Sequence, residues 1–194
     1  MSPRLRIEKL PIIGQLVRRS GKAIFPPNVR YGDIVSGLPL APASAHGVFC
    51  SHVLEHLDRS SVAIALQNTF VMLSPGGTFR LVVPDLVWRA QSLIADSEAG
   101  RADAADRFMR ASYLGEEAPA RTVADRLRAA YGNSSHRWMY DYGLMARLLG
   151  EAGFVHIRRC SFGDYSDSMF KLVEDEGRFF DSGHAELAIE AEHP

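Results

Sequence analysis

Short apolar runs mark the predicted strands of this chain. Residues 48–50 and 79–83 predict buried strands, because the strands of a parallel sheet are covered on both faces. Residues 154–160 predict a further strand. Residues 185–191 alternate apolar and polar side chains, which predicts a last strand with one solvated face. Helical stretches separate these runs, so the fold class is α/β.

A helix is predicted between the first two strands. Val62, Leu66 and Phe70 recur every three or four residues, as the buried face of a helix requires. Asp58 can cap its amino terminus, and the Ser-Pro-Gly-Gly sequence at 74–77 ends it in a tight turn. A strand, a helix and a second strand in this order form a right-handed crossover, so we expect a parallel sheet.

Outside these strands and their connecting helix, the pattern predicts further helices and one irregular segment. Residues 86–132 predict helices with breaks, including a last helix from about Thr122, and Asp141 can cap a further helix. Residues 1–28 predict an irregular segment, because proline and glycine interrupt their apolar positions. We see no linker or repeat, and therefore predict a single domain over residues 1–194.

Composition narrows the class of protein. The chain has 194 residues, 46% of them apolar, and a formal net charge of -1, so neither its charge nor its scattered cationic residues indicate a nucleic-acid partner. Its two cysteines, Cys50 and Cys160, stand in apolar runs and predict buried, reduced thiols and a cytoplasmic protein. Membrane helices need about 20 consecutive apolar residues, and we predict no membrane span.

The stretch 47–57 carries the first candidate chemistry. Its apolar run ends in Ser51 and His52 and then passes into a helix. A buried parallel strand delivers such side chains to the carboxyl edge of an open sheet, where these folds bind ligands. We therefore expect Ser51 and His52 to contact a ligand.

The same stretch also fits an inverted zinc-protease pattern. His52 and His56 are four residues apart and Glu55 can activate water. Zinc proteases need these residues inside a longer helix, whereas here they stand where a strand passes into a helix. We favour structural roles for Glu55 and His56 and predict no metal. Three acidic residues are available as a third zinc ligand: Glu98, Glu116 and Glu117.

Five segments in order resemble a known family. Residues 38–40, 51–57, 73–77, 79–85 and 152–154 resemble the second half of a class I S-adenosylmethionine-dependent methyltransferase. The likeness is greatest to small bacterial members with a methyltransferase type 11 domain, and it covers roughly residues 29 to 192. It implies a three-layer α/β fold around a mostly parallel twisted sheet with an antiparallel C-terminal strand. The carboxyl edge of that sheet is expected to hold S-adenosylmethionine.

The resemblance also implies roles for particular residues. Asp33 stands where the family contacts the adenine, although a turn residue is the structural alternative. The resemblance also implies that Cys50, Ser51 and His52 line the methionine end of the cofactor. As bases for an acceptor that must lose a proton, His52 is the first candidate and His136 the second.

The segment 136–141 falls where the family keeps substrate-facing groups. Trp138 and Tyr140 can stack on a flat or sugar-like acceptor, and Arg137 belongs to the same substrate-binding group. The structural alternative places Trp138 in the core, pairs Arg137 with an acidic residue such as Asp85, and makes Asp141 only a helix cap.

The chain departs from the family in its first segment. Between Met1 and Val29 it has neither the Gly-x-Gly loop nor the length for two strands, so the cofactor-binding front half is expected to be missing. The strand at 47–51 would then expose an edge, which we expect residues 1–28 or a second subunit, as in a homodimer, to cover.

Three functions follow from the sequence. The first is an S-adenosylmethionine-dependent methyltransferase that acts on a small-molecule or saccharide acceptor. The second is a degenerate methyltransferase fold that serves as a non-catalytic binding or assembly module. A zinc hydrolase built on His52, Glu55 and His56 is a distant third.

Overall fold

The structure is a computed structural model that describes residues 29–30, 32–115 and 135–194. The predictions for residues 1–28 and for the helix that begins near Thr122 lie outside the described residues. No helix in the described part of the chain has the length and apolar character needed to cross a membrane.

Among the described residues the main sheet has four strands, of which three run in the same direction. The parallel pair β1 and β2 lies beside β6, which is antiparallel to β2 and to β3. This confirms the mostly parallel sheet with an antiparallel C-terminal strand. In spatial order the strands are β1 (Ala45–Ser51), β2 (Leu73–Val83), β6 (Leu187–Glu192) and β3 (Val155–Cys160).

Helices connect these strands, and a small hairpin lies apart from the main sheet. The hairpin pairs β4 (Phe180–Asp181) with β5 (His184–Ala185). In the described part of the chain, 3-10 helices span Leu54–His56 and Ser168–Leu172. The α-helices are α1 (Arg59–Met72), α2 (Leu86–Glu98), α3 (Ala104–Ser112), α4 (Tyr142–Glu151) and α5 (Glu176–Phe179).

An aspartate caps each of the helices α1, α2 and α4. The Asp58 carboxylate accepts hydrogen bonds from the amides of Ser60 and Ser61, as the sequence predicts for α1. Asp85 caps α2 in the same way, and Asp141 caps α4. These caps fix the residue at which each helix starts, directly after a strand or a loop.

The predicted turn after α1 is present as an interruption of β2. Ala45 pairs with Leu73, but the next paired residue, Gly47, faces Thr78, so residues 74–77 stand outside the regular register. Gly76 adopts a φ of 75°, a conformation that glycine adopts without strain. The regular parallel pairing therefore starts at Thr78.

The core lies between one face of the sheet and the helices α1 and α4. Alternate residues of β2 and β6 point into it, which explains the apolar alternation of both strands. The buried members from these four elements are Val62, Ala65, Leu66, Leu73, Phe79, Leu81, Val83, Met145, Leu148, Leu149, Leu187, Ile189 and Ala191.

The opposite face of β6 is also buried, and the prediction that it is solvated is wrong. Glu190 lies directly across from Arg80 of β2, and their Oε1 and Nη1 atoms are 2.9 Å apart. Arg80 also donates to Glu174 and to the carbonyl of Ser161. Residues 161–181 thus cover this face, and buried ion pairs take the place of water.

At the other side of the sheet, β1 has one neighbour among the described residues. It pairs with β2 along its length. Whether residues 1–28 or a second subunit cover its outer edge lies outside the described residues, and that cover remains a prediction.

We expect Arg80→Ala to lower the free energy of unfolding by about 3–5 kcal/mol, because it removes the buried cation that Glu174 and Glu190 share and leaves Glu190 only its pair with the more exposed Arg158. Urea denaturation measures the change. Arg147→Ala is the control, since Arg147 and Glu151 pair on the surface, where such pairs contribute about 0–1 kcal/mol. Equal losses in the two variants would contradict the prediction.

Candidate functional site

A cavity of about 410 Å³ opens where β1 and β2 end, and we call it the central cavity. Its walls combine the residues that follow β1 with side chains from α2, from the loop before α4 and from the segment that leads into β6. Most of its polar lining is ionisable: His52, Glu55, His56, Arg89, His136, Arg178, Asp181 and Glu186.

Glu55 is the central group of this lining. It lies in the 3-10 helix Leu54–His56 and its side chain is 0% exposed. Neither carboxylate oxygen has a hydrogen-bond partner among the described residues. The nearest imidazole nitrogens are Nδ1 of His52, 3.3 Å from Oε1, and Nε2 of His56, 3.7 Å from the same oxygen. A buried carboxylate therefore faces two imidazoles.

The Glu55 main chain holds the second half of the site in place. Its carbonyl oxygen accepts hydrogen bonds from the backbone amides of Arg137 and Trp138, at 2.7 and 3.2 Å. These bonds fix the loop before α4 against the 3-10 helix. As a result, His136 lies beside His56, with their rings edge to face and 5.1 Å apart.

His52 is the first residue after β1 and has a left-handed backbone, with a φ of 52°. Its Nε2 donates to the carbonyl of Arg178 at 2.7 Å, and its Nδ1 faces Glu55. Burial by itself would lower the pKa of His52, but these two acceptors outweigh burial and raise it. Both ring nitrogens are engaged, so the contacts fit a donating imidazolium better than the predicted base.

His136 has the opposite character. Burial lowers its pKa despite the nearby Glu55 carboxylate, so the ring is neutral at pH 7. Its Nδ1 is buried and has no hydrogen-bond partner among the described residues. Of the two predicted bases, His136 is the one whose contacts leave a nitrogen available.

Arg89 and its two acidic partners form the far wall of the central cavity. The guanidinium donates to both oxygens of Glu186, at 2.7 and 2.8 Å, and to Asp181 at 2.9 Å. A bidentate pair of this kind fixes the orientation of both side chains. The sequence analysis missed all three residues, because they are far apart in the chain and only the fold brings them together.

Asp33 lies in a turn that holds its carboxylate. One oxygen accepts from the Val35 amide at 2.9 Å and the other from the Ser36 hydroxyl at 2.8 Å. The Ser36 hydroxyl, followed by the Val35 amide, lowers the pKa of Asp33. This is the turn role given as the structural alternative, and Asp33 does not line the central cavity.

The residues just before His52 lie outside the central cavity. Cys50 is buried in the core, and burial raises its pKa to about 12. Ser51 lines a second cavity of about 230 Å³, which shares Arg178 with the first. Its hydroxyl is buried and has no hydrogen-bond partner among the described residues.

The predicted substrate-binding group is divided by the structure. Arg137 and Trp138 line a third cavity of about 530 Å³, and Trp138 is 42% exposed, so it is not a core residue. Tyr140 is fully buried, and burial raises its pKa to about 12. Tyr140 is therefore not presented to a ligand. Of the segment 136–141, His136 reaches the central cavity.

The residues suited to hold a metal differ from those of the zinc pattern in the sequence. A carboxylate oxygen of Glu55 and one ring nitrogen each of His56 and His136 lie within 4.8 Å of one another. Glu98, named as a third ligand, is not in this group, and Glu116 and Glu117 lie outside the described residues. The adjacent Glu55 and His56 could have indicated two of these metal ligands from the sequence. His136 is about 80 residues away in the chain, and only the fold brings it to the other two.

Comparisons with known proteins add a fold likeness. No family model and no curated protein sequence matches the chain. A SAM-dependent methyltransferase structure from Archaeoglobus fulgidus is 15% identical with a TM-score of 0.45, over 85% of this chain and 67% of that one. Human N-acetylserotonin methyltransferase in complex with SAM is 14% identical with a TM-score of 0.43, over 94% and 38%. Likenesses this distant carry no argument about function, which must rest on the residues of this chain.

We expect neither thiol to react with an aromatic disulfide reagent at pH 8 while the protein is folded. Burial raises the pKa of Cys160 and brings that of Cys50 to about 12, so the reactive thiolate of Cys50 is only about one part in ten thousand. In denaturant, two thiols per chain should react. A native thiol that reacts like free cysteine would show that the buried cluster around it opens to solvent.

We expect His52→Gly to be about 1–2 kcal/mol more stable than His52→Ala. Both changes remove the imidazole, but only glycine adopts a φ of 52° without steric cost. Denaturant unfolding of the two variants gives the difference. Equal stabilities would mean that the backbone at this position relaxes once the ring is gone.

Proposed function

We propose that this chain is an S-adenosylmethionine-dependent methyltransferase that acts on a small-molecule or saccharide acceptor. One observation carries the proposal: the residues that leave β1 line a cavity at the carboxyl end of the parallel strands β1 and β2. Open α/β sheets bind their ligands at this edge. It is also where the sequence resemblance puts the methionine end of the cofactor.

The unpartnered groups of the site suit that end of the cofactor. The methionine portion carries an ammonium, a carboxylate and a sulfonium. The buried Glu55 carboxylate, with no hydrogen-bond donor among the described residues, suits the cationic groups. Ser51, the other predicted contact of this end, lines the neighbouring cavity instead. The bound cofactor would supply an activated methyl carbon.

The chain's own contribution is to align the acceptor and to take up its proton. Holding a nucleophile in line with the methyl carbon, with water excluded, supplies most of the rate in such transfers. His136 lines the cavity, is neutral, and has a ring nitrogen without a hydrogen-bond partner among the described residues, so we assign it as the base for a hydroxyl acceptor. His52 is a positioning residue that holds Glu55 and the Arg178 carbonyl.

A binding or assembly module is the second candidate. It is favoured by Asp33, whose two carboxylate oxygens accept hydrogen bonds within its own turn instead of facing a ligand. The sequence between Met1 and Val29 also contains no Gly-x-Gly loop. In this alternative the sheet and its cavity remain, but they do not bind the cofactor.

Calorimetry with S-adenosylmethionine and S-adenosylhomocysteine separates the two candidates. We expect a dissociation constant in the micromolar range, and a loss of affinity of about tenfold or more in His52→Ala, because His52 then no longer holds the Glu55 side chain and the Arg178 carbonyl in place at the cavity. His156→Ala is the control, since His156 forms an exposed pair with Glu192 at 2.9 Å. No heat from the folded wild-type chain would favour the module.

The assignment of His136 is tested by methyl transfer. With cofactor labelled in its methyl group and a panel of hydroxylated small molecules and monosaccharides, we expect His136→Ala to lower turnover by about 10²–10⁴-fold. Binding of the cofactor should change little. Transfer that proceeds at the wild-type rate in this variant would exclude His136 as the base.

A further inference from the structure

The hydrogen bonds of His56 leave one of its ring nitrogens facing Glu55. Its Nδ1 donates to the carbonyl of Ser135 at 3.1 Å, since a carbonyl can only accept. The other nitrogen, Nε2, lies 3.7 Å from the Glu55 carboxylate. Histidines that bind metals characteristically donate their second nitrogen to a carbonyl or carboxylate in this way, which fixes the ring and its tautomer.

Glu55 and His136 complete a set of three donor groups around one point. Their donor atoms and that of His56 lie within 4.8 Å of one another. The Glu55 side chain is fully buried, and its oxygens and Nδ1 of His136 have no hydrogen-bond partner among the described residues. Polar atoms as buried as these are nearly always paired in folded proteins. A cation between them would satisfy all three groups at once.

We propose that Glu55, His56 and His136 bind a divalent transition-metal ion of the zinc type. Two imidazole nitrogens and one carboxylate oxygen are ligands that zinc and its neighbours in the first transition row prefer. Calcium and magnesium prefer oxygen ligands alone. Three protein ligands leave a fourth position open, and the central cavity lies beside it.

This set is different from the His52, Glu55 and His56 pattern of the sequence. Both nitrogens of His52 already face acceptors, the Arg178 carbonyl and Glu55, so His52 stands outside the ligand set. The third ligand comes instead from the loop before α4. Two backbone amides of that loop donate to the Glu55 carbonyl, so one local structure positions all three donors.

The metal site rests on these contacts alone and is independent of methyl transfer. Where the chain does transfer methyl groups, the metal would compete with the cofactor for Glu55 and with a proton for His136. Zinc is then expected to inhibit the reaction and a chelator to restore it.

Titration of the purified full-length chain tests the site directly. After removal of metals with a chelator, Zn²⁺ is added in competition with a chromophoric indicator, and Co²⁺ is followed by its visible absorption bands. We expect one ion per chain and the intense bands of a four-coordinate Co²⁺ site. Each of His56→Ala and His136→Ala should weaken binding by more than about 100-fold, beyond the ~10–100-fold cost of losing a group that only holds a ligand.

His156→Ala is the matched control, because it removes one histidine from an exposed histidine–glutamate pair outside the cavity. It should bind metal as the wild type does. His136→Ala is the decisive variant, since His136 is only partly buried, and circular dichroism checks that it folds. Wild-type affinity in both ligand variants, or no saturable binding to the wild type, would overturn the site whatever the outcome of the methyl-transfer assay.

Discussion

Two carboxylates on one face of β6 determine how the rest of the molecule is arranged. Glu186, just before the strand, and Glu190 within it are both buried and meet the buried cations Arg89 and Arg80. Removing one partner of such a pair leaves a buried charge, at a cost of about 3–5 kcal/mol. The segments that carry the remaining partners are therefore held to the sheet by more than apolar contact.

The site depends on this arrangement through residues 161–181. Glu174 binds Arg80, and Asp181 binds Arg89, so the segment is fixed at two points on either side of Arg178. That fixed segment presents the Arg178 carbonyl to His52, which in turn faces Glu55. A chain of charge-assisted contacts thus runs from the middle of the sheet to the central cavity.

The sequence predicts the strands and α1 well, because the burial of both sheet faces and of one helix face is visible as local periodicity. It misreads β6, since alternating glutamates look the same whether they face water or buried arginines such as Arg80. At the site, a strand end identifies His52 as a lining residue. The burial of Tyr140 and the contact of His136 with Glu55 depend on how segments far apart in the sequence pack together, and no local pattern encodes that packing.

Glu55 has the least satisfied side chain of the site, and this indicates what kind of ligand the site accepts. If the residue served only to pack the start of a helix, an apolar side chain would do so without the cost of burying a charge. Its neighbours are His52, whose pKa the carboxylate and the Arg178 carbonyl raise against the effect of burial, and His56 and His136, which offer lone pairs. A carboxylate among lone pairs attracts positive charge. The ligand we expect is therefore a cation, whether the sulfonium and ammonium of a methyl donor or a metal ion, and an anionic ligand would be repelled from this point.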